Sequence, residues 1–259
     1  MKNTWFHKGW PPVLAVILLF LLWQLSVWWG HFPDWLLPGP FAVLAAFVKI
    51  FPRIMMHTMA TLQITGIGFV IGAAIGFLLA VLLHLSPALK RALYPLIILS
   101  QNIPIIALAP LLIIWFGFGM LPKIIIIVLV CFFPITVAMM DGFMQTDREM
   151  LNYMRMSGAN PRQIFMKLEL PHSLAFLFSG LKISATYSVM GAVISEWLGA
   201  SAGIGYFMTL SSNSFLTARV FAAIFVIVLI SLTFFGLIVM MEKIVIRWKP
   251  DEGSIHHDR

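Results

Sequence analysis

Long apolar runs alternate along this chain with short polar stretches. Six runs stand out, at roughly 12–30, 58–84, 92–118, 121–141, 173–198 and 216–241. Each is about as long as the ~20 residues a helix needs to cross a ~30 Å hydrocarbon core. Strands of a transmembrane barrel alternate apolar and polar residues. These runs do not, so the pattern predicts an all-α membrane protein with six spanning helices. The third run contains Pro104 and Pro110. Each lacks a backbone donor, so this span is predicted to be broken. In the second run, Gly68, Gly72 and Gly76 repeat every four residues. Small residues at that spacing let helix backbones approach closely, within one subunit or between two copies.

Residues 146–171, TDREMLNYMRMSGANPRQIFMKLELP, break the apolar pattern. Thr146 followed by Glu149 reads as a capping box. Met150, Leu151 and Met154 would form one apolar face. Gly158 suits the left-handed position at a helix end, Asn160 suits an N-cap, and Pro161 suits a first turn. Ile164, Phe165 and Leu168 would line a second apolar face, with Arg162, Gln163 and Lys167 turned elsewhere. Pro171 is expected to stop that helix. The reading is a helix–Gly–helix hairpin, longer than a simple connection requires. It would touch either a partner or the lipid surface.

Composition agrees with a membrane protein: 61% of residues are hydrophobic, 10% are charged, and mean hydropathy is +0.97. The whole chain, 1–259, reads as one transmembrane domain with a core over 58–241. The net charge of +7 does not require nucleic acid, because the charge is sided. With six spans, twelve Lys and Arg residues fall on the side of the termini, from Lys2 and Lys8 through Arg155, Arg162 and Lys167 to Arg259. Lys49, Arg53, Lys123 and Arg219 fall on the other side, and Lys182 lies inside the fifth run. The positive-inside rule then places both termini in the cytoplasm. Trp5 and Trp10 fit one interfacial belt, and Trp28, Trp29 and Trp35 the other. The first run is followed by bulky residues rather than a small-residue cleavage site, so it reads as a retained helix. One cysteine, Cys131, excludes an intrachain disulfide and reads as a packing residue. The tail, with His256 and His257, reads as a solvated end.

Polar groups inside a bilayer face the bundle interior or a wet path. Ser100, Gln101 and Asn102 precede Pro104, where a helix break can line a cavity. Ser184, Thr186, Tyr187 and Ser188 lie in the fifth run, where helix-to-helix hydrogen bonding is the competing role. Glu196 lies near that run's end, as a gate contact or as a carboxylate held by a backbone amide. The candidate substrate path is therefore Gln101, Asn102, Tyr187, Ser188 and Glu196. There is no phosphate-cradling G-x-x-x-x-G-K-[ST] and no H-E-x-x-H. His57, His84 and His172 lack metal-ligand spacing and read as interfacial. No catalytic, cofactor-binding or metal residue is expected.

Gly158, then nine residues, then Leu168, one residue, and Leu170-Pro171 resembles the cytoplasmic EAA loop of permease subunits of bacterial ABC importers. The Glu-Ala-Ala of that family, expected six residues before the glycine, reads Asn152-Tyr153-Met154 here. NIPIIALAPLLIIWFGFGMLPKI and LKISATYSVMGAVISEWLGASAGIGYFM resemble the third and fifth spans of the nitrate/sulfonate/taurine branch. The words Ala-Thr-Tyr-Ser and Glu-Trp-Leu-Gly look closest to permeases for thiamine-precursor pyrimidines. The likeness runs from about residue 58 to 241. It implies a type I importer permease fold in the bacterial cytoplasmic membrane. It implies two copies of an ABC ATPase subunit that carries ATP and Mg, a soluble or lipid-anchored substrate-binding protein, and a second permease copy, as a homodimer. The docking residues would be Gly158, Ala159, Asn160, Arg162, Leu168 and Pro171. A motor-independent transporter or channel is the alternative of a different class. It would need an ion-coupling site, for which Lys182 and Glu196 are the ionisable candidates.

Overall fold

The computed structural model describes residues 4–246, with side chains from Trp10 onward. The tail histidines, His256 and His257, lie outside the described residues. Ten α-helices follow one another, with no strand among the described residues: α1 Thr4–Gly30, α2 Pro40–Leu85, α3 Pro87–Ser100, α4 Ile105–Phe116, α5 Met120–Met144, α6 Arg148–Met156, α7 Pro161–Ile164, α8 Leu170–Trp197, α9 Ile204–Asn213 and α10 Thr217–Val245. Five rods are long and apolar enough to cross a membrane. A sixth crossing is reached when α3 and α4, bent by 102° across a short break, are counted together as one broken span. The break falls where Pro104 was expected to place it, with Pro104 as the N-cap of α4.

Three boundaries differ from the sequence reading. α2 starts at Pro40 rather than 58 and runs for 46 residues. At 1.5 Å per residue that is about 69 Å, more than twice a hydrocarbon core. Lys49, Pro52 and Arg53 break the apolar run in this stretch, but they do not break the helix. α9 lies inside a stretch read as connection. Pro171 does not stop its helix. Phe165–Glu169 forms a π turn between α7 and α8, and Pro161–Trp197 is one rod of 37 residues. A proline ring clashes with the carbonyl four residues earlier in an α-helix. Just ahead of Pro171 the helix widens, and the Leu170 amide reaches back to the Phe165 carbonyl.

The core sits where α5 runs between α2 and α8. The glycine seam lies within the subunit: Gly68 abuts Ile127, Gly72 abuts Cys131 and Gly76 abuts the Phe132 carbonyl. A Cβ on any of the three would come within 2.7 Å of these atoms. On the other flank, Gly180 presses against the Ile135 backbone. Hydroxyls join the same helices. Thr136 donates to the Gly76 carbonyl at 3.1 Å, and Ser184 donates to the Cys131 carbonyl at 2.7 Å. Lys182 of α8 pairs with Glu242 of α10 at 2.5 Å. α1 packs peripherally, through Phe20 and Trp23 against Phe221 and Phe225 of α10.

Candidate functional sites: the polar turn, a cavity at the helix break and a buried carboxylate knot

The polar segment is a helix–turn–helix whose turn is built from backbone geometry. Asp147 caps α6, accepting from the amides of Glu149 and Met150. Thr146, expected to hold that place, instead turns back toward the Gly142 carbonyl. The aspartate one residue later has the shorter reach to the first free amides. At the other end of α6, Gly158 takes φ +80°. Its amide donates to the Arg155 carbonyl, and the Ala159 amide donates to the Met154 carbonyl. This is a Schellman closure, which requires a left-handed residue at the glycine. Asn160 then caps α7, in a reciprocal capping box with Gln163 at 2.8 Å each way. Ile164 is buried, while Tyr153, Met156, Gly158, Asn160 and Arg162 stand on the surface, with Tyr153 and Met156 at 64% and 82% exposure. Leu168 and Pro171 are half-buried in the rod.

At the base of this segment, His84 at the end of α2 meets Glu169 of the π turn at 2.9 Å. The His84 ring stacks on Phe143 with centroids 4.2 Å apart, and Phe165 lies against both. One histidine thus joins the ends of α2 and α5 to the rod.

A cavity of about 640 Å³ opens between the α3–α4 break, α5 and the middle of α8. Ser100, Gln101 and Tyr187 line it together with Phe132, Phe133 and Asp141. Asn102 is exposed beside the break and directs its amide to the Ile98 and Leu99 carbonyls of its own helix. Ser188 is fully buried and donates to the Ala185 carbonyl one turn back, so this cavity does not include it. Tyr187 and Ser188 are neighbours on a helix, so they must face different sides.

Glu196 is not in the cavity either. It is 1% exposed and turned toward α2 and α9. One carboxylate oxygen accepts from the Thr61 hydroxyl and the other from the Gly205 amide, both at 2.8 Å. The Ile204 amide donates to the same Thr61 oxygen, and the Gly203 amide donates to Nδ1 of His57. The first turn of a helix has amides without intrahelical partners. Three such amides of α9 are met here by side chains from α2 and α8. Gly203 takes φ +115°, and a Cβ on it would fall 2.1 Å from the Glu196 carboxyl carbon.

A family model described as binding-protein-dependent transport system inner membrane component matches residues 68–247. The chain belongs to this family. The formylaminopyrimidine transport permease protein ThiX of Halalkalibacterium halodurans is 36% identical over 253 residues, covering 97% of this chain and 100% of the relative. The riboflavin transport system permease protein RibX of Chloroflexus aurantiacus is 32% identical, covering 96% and 92%. Among solved structures, a chain of an amino acid ABC transporter with histidines superposes with a TM-score of 0.62 at 17% identity, covering 77% of this chain and 97% of its own. The chain is therefore an ABC importer permease of type I fold, a multi-pass inner-membrane protein. Membership of this family implies an ATPase subunit and a substrate-binding protein as partners.

Sequence reasoning read His57 as interfacial and did not single out Thr61, and the structure buries both in the carboxylate knot. The signal was present: His57, Thr61 and Thr65 recur every four residues and run into the glycine seam. A polar stripe on one face of an apolar helix points at a buried partner. It missed the His84–Glu169 contact as well, which joins residues 85 positions apart.

Proposed function

We propose that this permease forms the membrane path of an importer for a thiamine-precursor pyrimidine, with both termini in the cytoplasm. One observation carries the mechanism: a rigidly capped turn at Gly158 leads without interruption into the rod Pro161–Trp197. Gly158, Ala159, Asn160 and Arg162 seat on the partner ATPase, and Leu168 and Pro171 carry the load into the rod. Nucleotide and magnesium remain on two copies of that partner. A second copy of this chain faces the cavity, and a binding protein delivers solute from the other side of the membrane. Gln101, Asn102 and Tyr187 meet the solute. Glu196 acts at the far end of the rod, as a gate element held through α9, and Ser188 supports Tyr187 from the packed side.

ATP binding can shift the permease only by favouring one arrangement over the other. The turn transmits that preference because it has no flexible joint before the membrane. ThiX is the relative that favours pyrimidine. Aliphatic sulfonates, taurine and nitrate, the solutes of the wider branch, are the competing cargo.

The test is Gly158→Val. A β-branched residue in the left-handed region costs roughly 1–2 kcal/mol. The surrounding space is open, so the cost lies in the backbone and in the partner's groove. The expected outcome is reduced ATPase co-purification and loss of solute-stimulated hydrolysis in vesicles, with normal membrane insertion. Assembly and coupling equal to the unmodified protein would return the segment to a lipid-surface role.

A further inference from the structure

The cavity's lining has a charge pattern that bears on what can enter it. Its polar groups are Ser100, Gln101, Tyr187 and Asp141. The remaining lining is aliphatic or aromatic, and includes Phe132 and Phe133. The lining includes one carboxylate, from Asp141, and no Lys, Arg or His. Lys182, one position from the lining residue Ile183, is turned away and paired with Glu242.

We infer that Asp141 makes this cavity selective for uncharged or weakly basic aromatic heterocycles and against anions. This deepens the reading above and rests on it. A sulfonate or nitrate must shed water to enter an apolar space, and a buried anion is tolerated only beside a cation or converging donors. Here it would meet a like charge instead. An aminopyrimidine carries no charge to strand. Its ring nitrogens accept, and its exocyclic amine donates. Gln101 offers a donor and an acceptor, Tyr187 a hydroxyl, and Asp141 an acceptor for an amine. Phe132 and Phe133 offer apolar ring faces. The set therefore fits a flat, neutral ring with polar edges.

The test uses the permease with its ATPase in nanodiscs, without the binding protein, so that delivery does not decide selectivity. A hydroxymethyl-aminopyrimidine and methanesulfonate are the two probes, followed by saturation-transfer NMR titration. The expected result is retention of the pyrimidine and at least tenfold weaker retention of methanesulfonate. Asp141→Asn should narrow that ratio by about tenfold, the effect of removing one like charge at close range. Asp141→Lys should reverse it. The inference is overturned if methanesulfonate binds the unmodified complex as well as the pyrimidine does. It is also overturned if neither probe is retained, or if both Asp141 variants leave the ratio unchanged. ATPase association is scored in the same preparations. Loss of association in the unmodified protein would bring down the permease mechanism itself. Association with anion binding would bring down only the charge selectivity.

Discussion

The rod Pro161–Trp197 has a glutamate near each end, and α2 holds both. At one end, Glu196 is 1% exposed and accepts from the Thr61 hydroxyl and the Gly205 amide, both uncharged donors. At the other, Glu169 meets His84 with both side chains still about a fifth exposed, under a stack of Phe143 and Phe165. The first end uses one backbone amide and one buried hydroxyl in a closed site, where loss of the carboxylate would leave the Gly205 amide stranded. The second end uses a solvent-reachable side-chain pair, which can part and be replaced by water at little cost. The same rod is thus clamped where it meets α9 and only latched where it meets the polar turn.

Breaking the clamp should have the largest effect. Glu196→Leu strands the Gly205 amide in a closed site and leaves the Thr61 hydroxyl only the His57 carbonyl, at 3.2 Å, to donate to. Unsatisfied buried groups cost about 1–3 kcal/mol each. The yield of folded protein and the unfolding midpoint in detergent should both fall markedly. Glu196→Gln, which keeps one carbonyl acceptor, should fall less. Equal behaviour of the two variants would mean that the carboxylate is not a clamp.

Opening the latch should have a smaller effect on stability and a clear effect on coupling. His84→Ala removes a pair about a fifth exposed and one ring stack, about 1 kcal/mol together. Transport per ATP hydrolysed should drop while ATPase assembly persists. A double-mutant cycle with Glu169→Ala should show the two losses overlapping. Additive losses would separate the histidine from the glutamate and place its contribution in the ring stack alone.

The smallest effect belongs between the two ends. Ser188→Ala removes one hydrogen bond within its own helix and should stay within about 0.5 kcal/mol, with uptake unchanged. Tyr187→Phe, one residue away and lining the cavity, should lower uptake without lowering folded protein. A larger loss for Ser188→Ala than for Tyr187→Phe would invert the assignment of faces on α8.

What the sequence reveals about this molecule follows the range of each interaction. Crossing helices are legible because bilayer thickness imposes their length locally. The α3–α4 break is legible because Pro104 removes a donor locally. The same holds for Gly158 and Asn160, whose roles depend on neighbours within five residues. Thr146 shows where local reading loses resolution: two capping residues stand side by side, and Asp147 takes the position. The first part of α2 was obscured by Lys49, Pro52 and Arg53, which weaken a hydropathy signal without ending a helix. The knot could not be read in this way, since Thr61 and Glu196 lie 135 residues apart. Only the four-residue spacing on α2 hinted that something polar waited on its inner face. Of the candidate path residues, Gln101 and Tyr187 line one cavity, while Ser188 and Glu196 point elsewhere, because hydropathy marks a polar residue's depth and not its facing.

The π turn at Phe165–Glu169 bears on leverage. It sits near one end of the rod, with α7 as the short arm and the 28 residues of α8, about 42 Å of helix, as the long one. In the proposed coupling, a pivot so placed would give the Trp197 end the longer arc, and the clamp at Glu196 would oblige both α2 and α9 to move with it.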